Sequence, residues 1–232
     1  MFFEPTLVST RWVACFDLLG TQDLLARGEE TRVFRAYTDA LDKLQRDGQL
    51  IDGVKHAWFS DTFLIIAPDD SGKSFTETDL LARSFAYFLL CNHVPFRGAI
   101  SCGRMYADFD GGVYFGLGMV EAYEYGDGQD WIGLVLCPST ISRLKSFGLS
   151  LDNRLNWQLF SVPWTTRPQT APEQLPACII GESFRINGRN PCLEALKEMF
   201  SAIDKEKPRV LQKYSRAIEF IETYRRTTVQ NS

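Results

Sequence analysis

Trp12-Val13-Ala14-Cys15-Phe16-Asp17-Leu18-Leu19-Gly20 and Ala57-Trp58-Phe59-Ser60-Asp61-Thr62-Phe63-Leu64-Ile65-Ile66 are the two stretches that decide how this chain folds. Each is an apolar, β-prone run interrupted by a single acid. A carboxylate there is costly to bury unless it is hydrogen-bonded, paired or bound to a metal. Val13 to Leu18 reads as a buried strand, followed by Gly20. Lys55 to Phe59 and Thr62 to Ala67 are separated only by Ser60-Asp61, the pattern of a hairpin with an acid at its turn.

Around these runs the chain alternates between helical and strand periods. Val33, Tyr37, Ala40, Leu41 and Leu44 repeat at helical spacing within about Thr21 to Asp47, and Gly48 and Gly53 punctuate the exit. Pro68 to Gly72 reads as a loop, and Thr78 to Cys91 as an apolar helix with Leu81, Phe85, Phe88 and Leu89 on one face. Arg97 to Met105 and a short run near Tyr114 are strands, Gly118 to Tyr125 a helix, and Trp131 to Leu136 another strand. The order is a βαββαβ unit of the α+β class, in which the first strand and the hairpin can lie side by side. Asp17 and Asp61 can then meet at one end of a sheet, as a hard-cation site of the kind that handles nucleotide phosphates.

Beyond Pro138 the pattern weakens. Pro138 to Phe147 reads as a helix and Asn156 to Val162 as a strand, and Pro163 to Pro176 as a surface connection. Pro208 to Arg226 carries Leu211, Tyr214, Ile218 and Ile221 at helical spacing. The expected division is a catalytic core over residues 1–137 and a C-terminal extension over 138–232 packed on it.

Composition excludes several classes. A formal net charge of −4 gives no general nucleic-acid footprint, although a nucleotide needs only a local positive site. No apolar run is long enough to span a bilayer, and Met1-Phe2-Phe3-Glu4-Pro5 has no basic segment of the signal-peptide kind. The six cysteines, Cys15, Cys91, Cys102, Cys137, Cys178 and Cys192, form no C-x-x-C pair and read as reduced thiols of a cytoplasmic protein. With only His56 and His93 in the chain, a zinc site is not expected.

Four segments in order carry a family resemblance. Phe16-Asp17-Leu18-Leu19-Gly20 resembles the metal-binding first strand of class III nucleotide cyclases. Ser60-Asp61 stands where those enzymes carry Gly-Asp at a hairpin turn. Arg97-Gly98-Ala99-Ile100-Ser101-Cys102-Gly103 resembles their R-x-G-I-H-x-G strand, and Tyr114 to Ala122 the approach to their catalytic helix. The departures are equally specific. Ala57 stands where purine cyclases place a base-reading Lys, and Val113 where they place an Asp. Val120 and Glu124 stand near their transition-state Asn and Arg. Together with Trp131 to Leu136, the set is similar to the pyrimidine cyclases of the Pycsar anti-phage system, and that similarity extends into the C-terminal third.

The resemblance implies a palm-like sheet, rich in antiparallel pairs, that converts UTP, or alternatively CTP, to the cyclic 3′,5′-monophosphate. It implies two divalent cations, Mn²⁺ or Mg²⁺, held by Asp17, Asp61 and the Leu18 carbonyl. Phe16, Leu19 and Gly20 would border the triphosphate, with the Leu19 and Gly20 amides facing it. Arg97 would meet base or phosphate, and Ala57 and Trp58 would shape the base pocket. It implies a homodimer whose Tyr114 to Tyr125 segment, and the region of Trp131, cross the interface. The cyclic product would signal to a nucleotide-binding effector encoded nearby, with no nucleic-acid or membrane partner. Beside the enzyme stands an alternative of another class, a catalytically silent cyclase-like domain that binds a nucleotide or dimerises as a regulator. A diguanylate-type cyclase shares the βαββαβ plan, but the chain has no G-G-D-E-F-like hairpin.

Overall fold

The computed structural model describes residues 8–47, 53–149 and 156–229. Gly48, expected at the exit of the first helical region, and the N-terminal Met1 to Pro5 lie outside the described residues.

One eight-stranded sheet organises the chain, in the order β2-β3-β1-β4-β6-β8-β7, with β5 (Val113–Gly116) paired to β4 off this path. The central strands are β1 (Val8–Leu18) and β4 (Phe96–Asp108), antiparallel from Val8↔Tyr106 to Leu18↔Phe96. On the other side of β1 lies the expected hairpin, β2 (Lys55–Phe59) and β3 (Thr62–Ile66), with Asp17 opposite Thr62. β6 (Gly133–Leu136) runs parallel to β4, with Arg97 opposite Gly133.

Two elements of the C-terminal third escaped the sequence pattern. β8 (Leu175–Cys178) pairs with β6 and with β7 (Trp157–Phe160), so the sheet continues past residue 138. The expected surface connection therefore ends in a buried strand. A helix, α6 (Pro191–Ala202), was also not expected; the Asn190 side chain caps it by accepting from the Cys192 and Leu193 amides.

The helical region before the hairpin is two helices, α1 (Thr21–Ala26) and α2 (Thr31–Arg46), broken near Gly28 at φ 66°. α3 (Gly72–Cys91) starts earlier than its apolar face suggests, because Ser71 caps it through the Ser74 amide. α4 (Leu117–Asp127) and α5 (Pro138–Ser146) follow, and α7 (Pro208–Val229) is the last helix.

The side chains of β1 alternate between two cores. Ala14, Phe16 and Leu18 belong to a large cluster with residues of α2, α3, α6 and α7. Val13 and Cys15 belong to a smaller one with Ala122 and Met119 of α4. Asp17 falls by period two on the α4 side, the more lightly covered face. α4 reaches that face by backbone contact: a Cβ on Gly103 would fall 2.6 Å from the Gly118 nitrogen. The buried Ser101 hydroxyl donates to the Gly118 carbonyl at 2.5 Å, fixing the helix start over β4. This is the physical reason for glycine at both positions.

Candidate active site

The end of β1 is tied to the hairpin turn by its backbone, the Leu18 amide donating to the Asp61 carbonyl at 2.8 Å. The turn has Ser60 at φ 56° followed by Asp61, the arrangement of a II′ hairpin that favours glycine at its first position. The Trp58 indole donates to the Ser60 carbonyl at 2.7 Å and braces it. Asp17 and Asp61 line a cleft of about 440 Å³ together with Leu18, Gly20, Thr62, Arg97, Tyr123 and Asp127. The two acids singled out by sequence are therefore neighbours.

Arg97 is the hub. It faces Asp17 across β1 and β4, and its Nε donates to Asp17 Oδ2 at 2.6 Å. Its two terminal nitrogens donate to Asp127 Oδ1 and to the Gln129 carbonyl, the latter at 2.9 Å. Three of the five Arg97 N–H groups therefore hold protein oxygens, and two remain for a base or phosphate. Burial pushes the Asp17 carboxyl up, Arg97 opposes that, and the Asp61 and Asp127 carboxylates push it further up.

Asp127 and Gln129 were missed by sequence reasoning. They lie in Gly126-Asp127-Gly128-Gln129-Asp130. A helix end followed by alternating glycines and polar residues was the available signal. Gln129 is fully buried and fully satisfied: its amide donates to the Gly98 and Tyr125 carbonyls at 2.9 and 2.7 Å and accepts from the Trp131 indole at 2.6 Å. It fixes this loop against β4, which lets the Gln129 carbonyl receive Arg97.

A second cavity of about 800 Å³ adjoins the cleft, sharing Thr62 and Tyr123 with it. Ala57, Met119, Val120 and Glu124 are among its lining, and Cys15 lies at its floor. The Cys15 thiol is pushed up to about 12, by burial first and then by Asp17 and Asp127, so it stays a neutral wall.

The other site residues named by the sequence stand in different surroundings. Phe16 is fully buried, its ring 5.0 Å from Phe85, and its side chain is core. The Leu19 amide donates to the Pro95 carbonyl at 2.8 Å and is not spare for a phosphate. Gly20 adopts φ 72°, which explains a glycine there, and the space beside it is open. Trp58 touches the second cavity, but its ring packs 4.6 Å from Phe34. The partly buried Glu121 carboxylate accepts from the Ser139 amide at 3.3 Å and from the Ser139 hydroxyl.

Among the described residues, no three His, Cys, Asp or Glu side chains form a ready metal cage. Asp17 and Asp61 are nonetheless a donor set that fits magnesium or manganese. Such ions take one or two carboxylates and complete their shell with phosphate oxygens and water. The crowding of carboxylates around Asp17 is the environment a divalent cation relieves.

With this geometry in view, the fold can be compared with solved structures. The catalytic core of a rhodopsin-guanylyl cyclase with converted specificity, in complex with ATPαS, matches at TM-score 0.52 and 10% identity, over 73% of this chain and 94% of that one. The monomeric guanylyl cyclase domain of the RhoGC fusion protein from the aquatic fungus Blastocladiella emersonii matches at TM-score 0.49 and 12% identity, over 73% and 94%. The adenylyl cyclase CyaB from P. aeruginosa matches at 0.48 and 9%, over 74% and 95%. No family model and no curated protein sequence matches the chain. The fold is the α+β palm of class III nucleotide cyclase catalytic domains. Among the described residues, no helix is long and apolar enough to cross a membrane.

Proposed function

We propose that this chain is a nucleotide cyclase that converts UTP to 3′,5′-cyclic UMP and diphosphate. The observation that carries the proposal is the pairing of Asp17 with Asp61 at the joined ends of β1 and the hairpin, in a cleft that opens into an apolar cavity. Asp17, Asp61 and the Leu18 carbonyl would hold two divalent cations, Mg²⁺ or Mn²⁺. Bound there, such ions neutralise charge on the α-phosphate and acidify the ribose 3′-hydroxyl. Arg97 fixes Asp17 through Oδ2 and leaves Oδ1 for a cation. In the reaction the 3′-oxygen bonds to the α-phosphorus and the bond to the bridging oxygen breaks. Diphosphate keeps that electron pair, and the 3′-proton leaves to water. The chain's contribution is to hold ribose and phosphate in line, replacing a diffusional encounter.

The adjoining cavity suits the base. Ala57, in its lining, stands where purine cyclases carry the Lys, and Val113, between lining residues Gly112 and Tyr114, stands where they carry the Asp. Pyrimidine preference would follow from those losses rather than from the bulk of Trp58, whose ring is engaged by Phe34. CTP is the alternative substrate. A homodimer would close the cavity, supported by exposed apolar side chains around it: Phe59, Phe115, Leu117 and Tyr123 are 83%, 72%, 75% and 49% exposed. The Pycsar-like motif set supports a cytoplasmic enzyme whose cyclic product signals to an effector encoded nearby in anti-phage defence. Residues 1–137 would form the catalytic core.

One observation favours a silent regulator instead: Arg97 already neutralises Asp17 and Asp127. Titrating Mn²⁺ into wild type and Asp17→Asn, with uridine triphosphate present, separates the two. A cyclase predicts metal-dependent turnover in wild type alone; a silent domain predicts none in either.

A further inference from the structure

We propose that the C-terminal helix α7 completes the active site, with Lys213 meeting the polyphosphate end of the nucleotide in the cavity between α1 and the α6–α7 pair. The inference rests on the nucleotide cyclase proposal and gives the C-terminal third a chemical role.

The cavity holds about 730 Å³ and adjoins the acid cleft, sharing Leu19, Gly20 and Asp23 with it. A nucleotide whose α-phosphate lies at Asp17 and Asp61 would extend its outer phosphates past Leu19 and Gly20 toward α7. Arg27 and Arg32 also line this space, but both are engaged by Glu29, at 3.4 and 3.0 Å. Lys213 is different. It is half-buried, and no carboxylate pairs with it among the described residues. Partial burial costs its ammonium some hydration, and an anionic ligand in the cavity would offset that cost. Exposed Lys207, in the same lining, lies just before the first residue of α7.

Lys213 also lies within the field of the acid cleft. Burial pushes its ammonium down and Arg97 adds to that, while Asp130, Asp17 and Asp127 oppose it. The same helix is anchored to the catalytic loop three residues later. Arg216 donates to the Asp130 carbonyl at 2.8 Å and pairs with the Asp130 carboxylate. Tyr214 and Ala217 are buried beside it. Lys213 is thus carried on a rigid element that touches the loop supplying Asp127 and Gln129. Val120 and Glu124 provide no cation in the base cavity. A lysine from α7 supplies positive charge where diphosphate leaves, and an ammonium is a natural ligand for phosphate oxygens.

The test measures binding of inorganic tripolyphosphate with Mg²⁺ to the full chain by calorimetry, for wild type, Lys213→Met, Lys213→Arg and Lys205→Met. Methionine keeps most of the apolar stem, arginine keeps the charge, and Lys205 is exposed and outside the cavity. Expected is about a tenfold or greater weakening in Lys213→Met, with binding retained in Lys213→Arg and unchanged in Lys205→Met. Thermal unfolding of each variant accompanies the titration, and Lys213→Gln replaces Lys213→Met should the latter fail to fold. Equal binding by wild type and Lys213→Met, or by wild type and Lys213→Gln, overturns the inference, as does no binding by wild type. Lys213-dependent binding in a protein that cyclises no nucleoside triphosphate supports the polyphosphate site while rejecting the cyclase proposal.

Discussion

Arg97 and Asp17 stand directly opposite each other on β4 and β1, joined Nε to Oδ2 at 2.6 Å, with Arg97 14% and Asp17 15% exposed. The pair sits where the acid would otherwise face two further carboxylates, Asp61 and Asp127, with no counter-charge. Removing the guanidinium leaves a half-buried acid cluster uncompensated. Arg97→Met should lower stability by about 2–4 kcal/mol, a little below the ~3–5 kcal/mol of a fully buried ion pair because Asp127 keeps contact with solvent. Millimolar Mn²⁺ should recover more of the thermal midpoint in Arg97→Met than it adds to wild type, because the cation replaces the lost charge. Equal Mn²⁺ effects on both proteins would argue against a metal at Asp17.

The turn residue Ser60 sits at φ 56°, where a side chain costs about 1–2 kcal/mol and glycine does not. Glycine also loses more backbone freedom on folding, by about 0.4–1 kcal/mol. Ser60→Gly should therefore stabilise the protein by about 0.5–1 kcal/mol in denaturant titrations while leaving Asp61 in place. A destabilised variant would contradict the strained-turn account.

How much of this was legible beforehand varied along the chain. β1, the β2–β3 hairpin, α3, β4 and α4 each carry a strong period, so the palm could be read from their order, although β1 and α3 begin earlier, at Val8 and Gly72, than their patterns suggest. β8 is four residues with Pro176 inside it, and it is a strand because β6 and β7 flank it. No local signal encodes such a partner. α6 was readable: Asn190 before Pro191, then Leu193 and Leu196, is a helix start followed by an apolar face. At the site, Asp17 and Asp61 stood out because acids are rare in strands. Asp127 and Lys213 did not, because each lies among ordinary helix and loop charges. Their importance comes from where β4, β6 and α7 place them.

Glu121 gives a pH dependence away from the acid cleft. Burial holds its carboxyl above the ordinary 4.5, although the Ser139 donors pull it down. The folded state then binds this proton more tightly than the unfolded chain, so Glu121 weakens folding as pH rises through that window. Glu121→Gln should be more stable relative to wild type at pH 8 than at pH 4. Chemical denaturation at both pH values checks this; a gap that widens toward acid would reverse the sign.

Phe115 and Leu117 are the two most exposed apolar side chains beside α4, at 72% and 75%. Covering either in a dimer is worth about 1.5–3 kcal/mol per copy. A Phe115→Glu, Leu117→Glu double variant should sediment as a monomer, lose turnover at least about tenfold, and unfold at nearly the wild-type temperature. A monomeric variant with full activity would remove the shared-site dimer from the account.

The most direct measurement is the product itself. Wild type and Asp61→Asn are incubated with an equal mixture of ATP, GTP, CTP and UTP and with Mn²⁺, and the products are resolved by mass. The account predicts cyclic UMP with matching diphosphate from wild type, and a loss of about a hundred-fold or more in Asp61→Asn, the scale of a few kcal/mol of transition-state charge stabilisation. Cyclic AMP or cyclic GMP as the main product would contradict the pyrimidine pocket. No cyclic nucleotide from wild type, or equal yields from both proteins, would contradict the enzyme built on Asp17 and Asp61.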